Sequence, residues 1–404
     1  MKKLLILFLI ILFIPFLLYS QEHKITPGVV INSENYKGYL PELKRLFTPG
    51  YYATMVKGLE NEWITIPIVK NSTILARPAL AQWTKKMQGK CKILPGNKLV
   101  GWVAGSPFTH PKTGAELAWD IRRTWQGTGD TCTMAGPLIL MDKHGNEERS
   151  VLFKMGRRPW MGRVEIPPIP EEPENNGVIQ YKLYFLVLAP FDVRGFCQLR
   201  ISYEDVKKDD DCYGWIPALR RIRRLTGKDL TDPILGSDTC LDDFECWQQK
   251  ISSKLTFKLD NSEFLVPATY SEKPPEPYLK GNCYQVKWEK RPLYILNVYP
   301  NDPDYIYSKR VIYVDKEGQT FALFGAHEYD QKGRLWRSLS QIIPSVYPDK
   351  HHFGNNIGAG TWWGSTYFDH ISGHSSVYDM FPIFDDPECT PGLFSIKGLL
   401  KEAR

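Results

Sequence analysis

The sequence predicts a mostly β or α+β fold, built on one largely antiparallel sheet with a few helices. Two short runs, 255–260 (LTFKLD) and 284–288 (YQVKW), alternate apolar and polar residues, as strands with one buried face do. Aromatic residues make up 13% of the chain, including 21 Tyr and 12 Trp, and these residue types favour strands. Strand-like runs joined by turn-forming residues indicate antiparallel hairpins.

Further strands are predicted where β-branched and aromatic residues cluster. Residues 178–188 and 196–203 are two such runs. Proline-rich loops are expected at 165–177 and 271–282, since proline and glycine interrupt regular structure. Two hairpins are predicted, with turns at 316–318 (KEG, between strands at 305–315 and 319–324) and at 329–334 (YDQKGR).

Helical signals are fewer than strand signals. The predicted helices are 39–47, 79–87, 115–124 and a fourth that ends near 251. In the fourth, Ser237 and Asp238 are suited to cap the first turn, and two aspartates follow within that turn. Carboxylates stabilise the positive N-terminal end of a helix. The chain has no repeat of fixed period, so residues 21–404 are predicted to form a single domain.

The first 20 residues are typical of a cleavable signal peptide. Lys2 and Lys3 precede an apolar run at 4–18, and the small Ser20 offers a cleavage site after it. The alternative is a retained membrane anchor, which usually needs about 20 apolar residues. No cysteine lies near the cleavage site to carry a lipid anchor. We therefore expect residues 1–20 to be removed and the protein to work in the periplasm, either free or peripheral to the outer membrane.

Charge and cysteine content narrow the class of protein. The formal net charge is +6, which is too mild to indicate nucleic-acid binding. The eight cysteines are an even number, and the periplasm is oxidising, so disulfides are expected. No CxxC pair occurs, which argues against a zinc ribbon and a redox motif. The candidate pairs are Cys240 with Cys246, Cys91 with Cys132, and Cys197 with Cys212, and many other pairings remain open.

A dense basic stretch provides the candidate ligand-binding residues. Planar guanidinium groups bind phosphate and carboxylate groups by paired hydrogen bonds, so arginines here could hold a lipid headgroup. Alternatively, they pair with the aspartates of the following acidic stretch and fix a loop to a strand. The headgroup candidates are Trp215, Arg220, Arg221, Arg223 and Arg224, and the loop and cap residues are Gly236, Ser237, Asp238, Asp242 and Asp243.

Catalytic signals are weak. His370 and His374 have the i, i+4 spacing of zinc ligands on a helix, but the residues between them are poor helix formers and no Glu follows His370. Solvated loop histidines are the simpler interpretation. No catalytic residue, metal or cofactor is therefore predicted, and a metal-dependent hydrolase is the weaker alternative. Further residues that motivate that alternative are His351, His352, Asp369 and Asp379.

Four stretches, taken in order, resemble a family of bacterial envelope proteins grouped as domain of unknown function 1329 and often called outer-membrane lipoprotein-sorting proteins. The stretches are 104–108 (AGSPF), 213–243 (with PALRRIRRL, then GSD and DD), 307–315 (YSKRVIYVD) and 329–337 (YDQKGRLWR). The resemblance implies a fold similar to the lipoprotein carriers LolA and LolB. In that fold a curved antiparallel sheet forms an incomplete barrel, and a few helices cover its open side over an apolar cavity.

The function implied by the resemblance is that of a non-enzymatic periplasmic carrier or acceptor of a lipid or another hydrophobic molecule. Its implied partners are an efflux-type inner-membrane exporter and an outer-membrane β-barrel. Cys240 and Cys246 depart from the family pattern and suggest a local disulfide staple. The second hypothesis is a structural or adaptor protein that docks on an envelope transport complex without a ligand. Trp362 and Trp363 are candidates for that docking surface.

Overall fold

The structure is a computed structural model. It describes residues 23–74, 76–125, 130–268, 279–280, 283–318, 320–342, 364–379 and 389–402. Several predictions concern other parts of the chain. The signal peptide at 1–20, most of the loop at 271–282, the histidines at 351–352 and the tryptophans at 362–363 lie outside the described residues.

Strands dominate the described residues, and the helices are short. The strands are β1 (Val30–Ile31), β2 (Ile66–Val69), β3 (Lys92–Leu94), β4 (Lys98–Val100), β5 (Thr131–Met141), β6 (Glu147–Pro159), β7 (Ile179–Ala189), β8 (Cys197–Tyr203), β9 (Asp211–Ile216), β10 (Arg221–Leu225), β11 (Leu255–Pro267), β12 (Leu279–Lys280), β13 (Cys283–Tyr284), β14 (Trp288–Pro300), β15 (Lys309–Asp315), β16 (Leu323–Tyr329), β17 (Leu335–Ile342), β18 (Gly364–Asp369) and β19 (Ser375–Asp379). The α-helices are α1 (Tyr36–Leu46), α2 (Pro49–Glu60), α3 (Pro78–Met87), α4 (Gly114–Asp120) and α5 (Ile396–Glu402).

One 15-stranded sheet forms the body of the protein. Its strand order is β1-β2-β14-β15-β16-β17-β18-β19-β5-β6-β7-β8-β9-β10, and β11 pairs with β14 beside this path. All of its pairs are antiparallel except β2 with β14. Among the described residues the sheet does not close on itself, because β10 pairs there only with β9 and β11 only with β14. The predicted class, a mostly β protein with an unclosed antiparallel sheet and a few helices, is confirmed.

The middle of the sheet is covered on both faces. In β7, Leu183 and Phe185 lie in the main core, whereas the alternate residues Tyr184 and Leu186 lie in a separate core under the C-terminal residues. Successive side chains of a strand point to opposite faces. The nearly continuous apolar run of β7 is therefore explained by burial on both sides.

The contacts of two neighbouring aspartates show that the sheet is curved. The Asp242 Oδ1 atom lies 3.6 Å from Arg200 Nη1 in β8, and Asp243 Oδ1 lies 2.7 Å from Arg310 Nη2 in β15. These two strands are eight places apart in the sheet. On a flat sheet they would be roughly 38 Å apart at about 4.8 Å per strand. The sheet must therefore curve around residues 227–254, which we call the inner segment, and this segment occupies its concave side.

Local sequence signals correctly predicted two hairpin turns and three of the helices. The hairpin turns at 316–318 and 329–334 join β15 to β16 and β16 to β17, as predicted. The helices predicted at 39–47, 79–87 and 115–124 correspond to α1, α3 and α4 within a few residues, although a π-helical turn replaces the end of the third. Helix α2 was not predicted, although the Thr48 side chain caps it by accepting from the Tyr51 N–H.

The helix predicted from Ser237 to Ile251 is wrong. The region is irregular, with a single 3₁₀ turn at Phe244–Cys246. The backbone at Cys246 has φ +72°, which a right-handed helix cannot accommodate. The carboxylates assigned to the first turn instead bind arginines of the sheet, so tertiary contacts override the local capping signal.

Among the described residues, no helix has both the length and the apolar character needed to cross a bilayer.

Candidate functional site

The inner segment is held in the concave side by a buried ionic network. Asp243 is fully buried and accepts from Arg310 Nη2 (2.7 Å), the Tyr307 hydroxyl (2.9 Å) and the Cys240 N–H (2.9 Å). The Arg337 guanidinium lies 3.6 Å away. Burial alone would raise the pKa of Asp243, but the charges of Arg310 and Arg337 outweigh it and hold that pKa below its usual value.

A second buried carboxylate, Glu328, completes this network. Its Oε1 atom accepts from Arg310 Nη1 at 3.1 Å, and the same nitrogen donates to the Cys246 carbonyl at 2.8 Å. Burial raises the pKa of Glu328 to about 8, against the attraction of Arg310. Arg310, Tyr307 and Arg337 belong to stretches that carried the family resemblance. Asp243 belongs to a third such stretch, 213–243. Three of the four stretches therefore meet at one buried point.

The loop and cap residues contact the sheet at a neighbouring position. Gly236 adopts φ +81°, a conformation that glycine reaches without strain, and it turns the chain back before Ser237. The Asp238 Oδ2 atom accepts from Ser376 Oγ and from His374 Nδ1, both at 2.7 Å. Burial raises the pKa of Asp238 despite these hydrogen bonds. The inner segment is thus tied to β19 as well as to β15.

The arginine cluster, which consists of Arg220, Arg221, Arg223 and Arg224, does not contact Asp242 or Asp243. Arg220 is in the turn after β9, with φ +48°, and the other three arginines are exposed on the edge strand β10. Arg224 pairs with Asp211 of the adjacent strand. The interpretation in which the cluster pairs with Asp242 and Asp243 is wrong, because those two carboxylates contact arginines of β8, β15 and β17.

Strand geometry divides the cluster between the two faces of the sheet. Ile222 is the register partner of Trp215, and both line a small pocket beneath α5 on the outer face. Arg224 shares that face because it is two residues from Ile222, whereas Arg221 and Arg223 alternate to the other side. The four arginines therefore do not form one headgroup site.

A groove on the outer face is a candidate ligand site. It has a volume of about 1470 Å³ and lies between strands β6 and β7 and the C-terminal residues 390–402. Tyr184 and Leu186 of the sheet form part of its apolar lining, and Leu393, Ile396 and Leu400 face them. Ligand pockets usually measure about 300–1,000 Å³, so the groove has room for a chain-like molecule.

The charged groups of the groove are mainly cationic. Lys154, Lys397 and Lys401 line it together with one acid, Glu402. Three ammonium groups against one carboxylate favour an anionic end on the molecule that binds. An apolar lining with a cationic margin fits an amphiphile with a negative headgroup.

The C-terminal residues are anchored beside the groove. Phe394 is fully buried, and its ring meets the rings of Trp160 (5.9 Å) and Tyr184 (5.3 Å) edge to face. The carbonyl of the disulfide-bonded Cys389 accepts from Arg158 Nη1 at 2.7 Å. These contacts hold the roof of the groove. The spacing of the three apolar residues Ile396, Leu399 and Leu400 was the sequence signal for this helix, and it was missed.

The predicted disulfides are not formed in the structure. Cys91, Cys197, Cys212 and Cys240 are free thiols, and the Cys246 thiol donates to Gln341 Oε1 at 3.3 Å. The expected local staple between Cys240 and Cys246 is therefore absent.

Strand register explains why Cys197 and Cys212 do not form a disulfide. Cys197 lies opposite Trp215 and Cys212 lies opposite Arg200, so the two cysteines are offset by three residues and face opposite sides of the sheet. Burial raises the pKa of Cys197 to about 11 and that of Cys212 to about 12, which keeps both in the unreactive thiol form. In the remaining predicted pair, Cys91 with Cys132, the side chain of Cys132 is not among those that the structure describes.

The two central histidines of the metal hypothesis do not converge. His370 Nε2 hydrogen-bonds Ser338 Oγ at 2.8 Å, whereas His374 contacts Asp238 and lies 3.2 Å from Glu148. In the ranges that the structure covers, no group of three His, Cys, Asp or Glu side chains is arranged to hold a metal ion.

The protein is thus an unclosed, curved β-sheet protein whose family motifs build the buried core of its concave side. The chain belongs to the family described as protein of unknown function DUF1329, whose sequence model matches residues 30–381. The resemblance carried by the four stretches is confirmed.

Three bacterial proteins are among the solved structures that match this chain. A protein from Vibrio parahaemolyticus, described as a putative outer membrane lipoprotein-sorting protein domain, is 18% identical, with 72% of this chain and 98% of that chain covered and a TM-score of 0.47. A DUF1329 family protein from Desulfovibrio piger is 18% identical, with 71% and 97% covered and a TM-score of 0.48. A LolA superfamily protein from Nitrosomonas europaea is 14% identical, with 71% and 99% covered and a TM-score of 0.41. No curated protein matches the sequence.

Proposed function

We propose that this protein binds a lipid or another amphiphile with an anionic end in the groove under its C-terminal residues. The observation that carries the proposal is the groove itself, with about 1470 Å³ of space, apolar side chains from both the sheet and the C-terminal residues, and three lysines. Each methylene group of a chain buried there contributes about 0.8 kcal/mol. The ligand site is therefore on the outer face. The concave side, where a carrier cavity was expected, is occupied by the inner segment.

The proposed role is that of a non-enzymatic carrier or acceptor in the periplasm. The N-terminal sequence supports export, and the groove offers a place to shield an apolar chain from water. An inner-membrane exporter and an outer-membrane barrel are the proposed partners, on the strength of the family resemblance. The DUF1329 membership is consistent with this role and does not specify it.

The groove is tested with the fluorescent fatty acid cis-parinaric acid. Ile396→Ser/Leu400→Ser is expected to weaken its binding by about tenfold or more for each side chain, because each loses about 1.5 kcal/mol or more of apolar burial. The matched control is Ile371→Ser, at a side chain that is 57% exposed outside the groove, and it is expected to bind as the wild type does. Equal binding by the groove variant and the control would contradict the proposed site.

The headgroup position is tested by comparing the same acid with its uncharged methyl ester. Lys397→Gln/Lys401→Gln is expected to weaken binding of the acid several-fold and to leave the ester unaffected, because only the acid carries a charge for the ammonium groups. The predicted headgroup residues are tested in parallel with Arg220→Ala/Arg223→Ala. Selective loss of the acid in that variant would place the headgroup at the arginines. Loss of acid and ester alike in both variants would remove the headgroup role from both clusters.

A further inference from the structure

Two neighbouring turns, at the same end of strands β7 to β10, expose large apolar side chains. Because β8 pairs with β7 on one side and β9 on the other, the turn at 190–196 and the turn at 217–220 lie next to each other. Phe191 in the first turn is 92% exposed, and Leu219 in the second is 49% exposed. We call these two turns and the start of β10 the hairpin tip.

The hairpin tip is also basic. Arg194, Arg220, Arg221 and Arg223 are exposed, and within the described residues none of them forms an ion pair. The acids nearby are already paired. Asp192 lies 2.6 Å from Arg149 Nη2, and Asp211 is paired with Arg224.

Protection of an edge strand explains only part of this arrangement. Charged residues on a terminal strand prevent it from pairing with other chains, and the arginines of β10 would serve that purpose. That role gives no reason for Phe191 and Leu219, which lie in turns beyond the ends of the strands. Apolar side chains at a protruding tip, surrounded by unpaired guanidinium groups, match the chemistry of a bilayer interface.

We propose that the hairpin tip docks the protein on the surface of an anionic membrane. Phe191 and Leu219 enter the boundary between headgroups and acyl chains, and Arg220, Arg221 and Arg223 bind lipid phosphates. Guanidinium groups bind phosphate by paired hydrogen bonds, and each basic side chain near an anionic surface adds to the attraction. The proposal does not rest on the groove, because none of these residues lines it.

Vesicle co-sedimentation tests the docking surface. The purified protein is expected to bind vesicles of phosphatidylglycerol and phosphatidylethanolamine, to bind phosphatidylcholine vesicles at least tenfold more weakly, and to be released by high salt, since salt screens charge attraction. Equal binding to both kinds of vesicle, or no binding to the anionic kind, would overturn the proposal. The second of these results would leave an acidic protein partner as the occupant of the tip.

Two pairs of variants locate the contact. Phe191→Ser/Leu219→Ser and Arg221→Ala/Arg223→Ala are each expected to weaken binding to the anionic vesicles by about tenfold or more. The matched controls are Leu94→Ser, at a side chain that is 43% exposed, and Lys85→Ala/Lys86→Ala on α3. The controls are expected to change binding by less than about twofold, in keeping with single exposed residues that need no interface. Equal losses in tip variants and controls would refute the assignment. All proteins are compared in the same purified form, with their urea midpoints measured.

Discussion

Replacing Arg310 with methionine is expected to lower the free energy of unfolding by about 3–5 kcal/mol, the usual effect of breaking a buried ion pair from one side. Arg310 is 2% exposed, and its guanidinium binds the carboxylates of Asp243 and Glu328 and the Cys246 carbonyl. Methionine fills similar space but leaves the buried Asp243 carboxylate with only the Arg337 guanidinium, 3.6 Å away, as a nearby cation, and it removes the ion pair of Glu328. Urea unfolding followed by tryptophan fluorescence measures the loss.

The matched control is Arg334→Met. Arg334 also pairs with a carboxylate, Asp330, at 2.7 Å, but its side chain is 58% exposed. Exposed pairs contribute about 0–1 kcal/mol, so the control is expected to fall in that range. The double variant Arg310→Met/Glu328→Gln is expected to recover part of the stability, because a neutral glutamine needs neither a cation nor the uptake of a proton when it is buried. If Arg310→Met and Arg334→Met destabilise equally, the network does not hold the inner segment.

The same network shows why the local sequence misled the prediction of a helix. Asp242 and Asp243 have the composition of a first helical turn, and capping rules depend only on neighbours in the chain. Asp242 instead lies beside Arg200, and the partner of Asp243 is Arg310, 67 residues further along the chain. A contact at that separation leaves no periodic or spacing signal. Strands and hairpins were predictable because alternation and turn residues act within a few positions.

The position of the groove could not be predicted from the sequence, for a related reason. The groove exists because residues near the end of the chain cross the outer face of β6 and β7. The sequence shows that β7 is apolar on both faces, but not what covers each face. The arginine cluster was visible as a motif, yet only strand register reveals that Arg221 and Arg224 point to opposite faces. Composition identifies the chemistry available, and topology decides which groups meet.

One buried histidine, His327, and one partly buried histidine, His370, give the second strong prediction, a contribution to stability that is lost in mild acid. His327 is 2% exposed; its Nε2 atom accepts from the Gly50 N–H at 3.3 Å, and Nδ1 lies 3.1 Å from the Tyr313 hydroxyl. Burial, with the charges of His370 and Lys309, lowers the pKa of His327 to about 3. Burial likewise lowers the pKa of His370 to about 4, against the attraction of Asp369. Both rings are therefore neutral in the folded protein.

The sign of the pH effect follows from which state binds more protons. In the unfolded chain both histidines titrate near their ordinary pKa of about 6.5, so between about pH 6.5 and 4 the unfolded state holds up to two more protons than the folded state. The contribution of the two histidines to stability is then expected to be flat above about pH 6.5 and to fall with acidification by about 1.4 kcal/mol per pH unit for each histidine. The pair accounts for a loss of about 4 kcal/mol between pH 7 and pH 5.

Urea midpoints measured from pH 7 to pH 5 separate this contribution from that of the carboxylates. His327→Gln is expected to reduce the slope of stability against pH by about one proton, and His327→Gln/His370→Gln by about two. Glutamine keeps a hydrogen-bonding side chain but takes up no proton, so the slope reports titration even where the variants are less stable at every pH. An unchanged slope in the double variant would mean that the rings are protonated in the folded state. The hydrogen bond from the Gly50 N–H to His327 would then be lost, because an imidazolium ring nitrogen donates and does not accept, whereas the Ser338 hydroxyl could accept from His370.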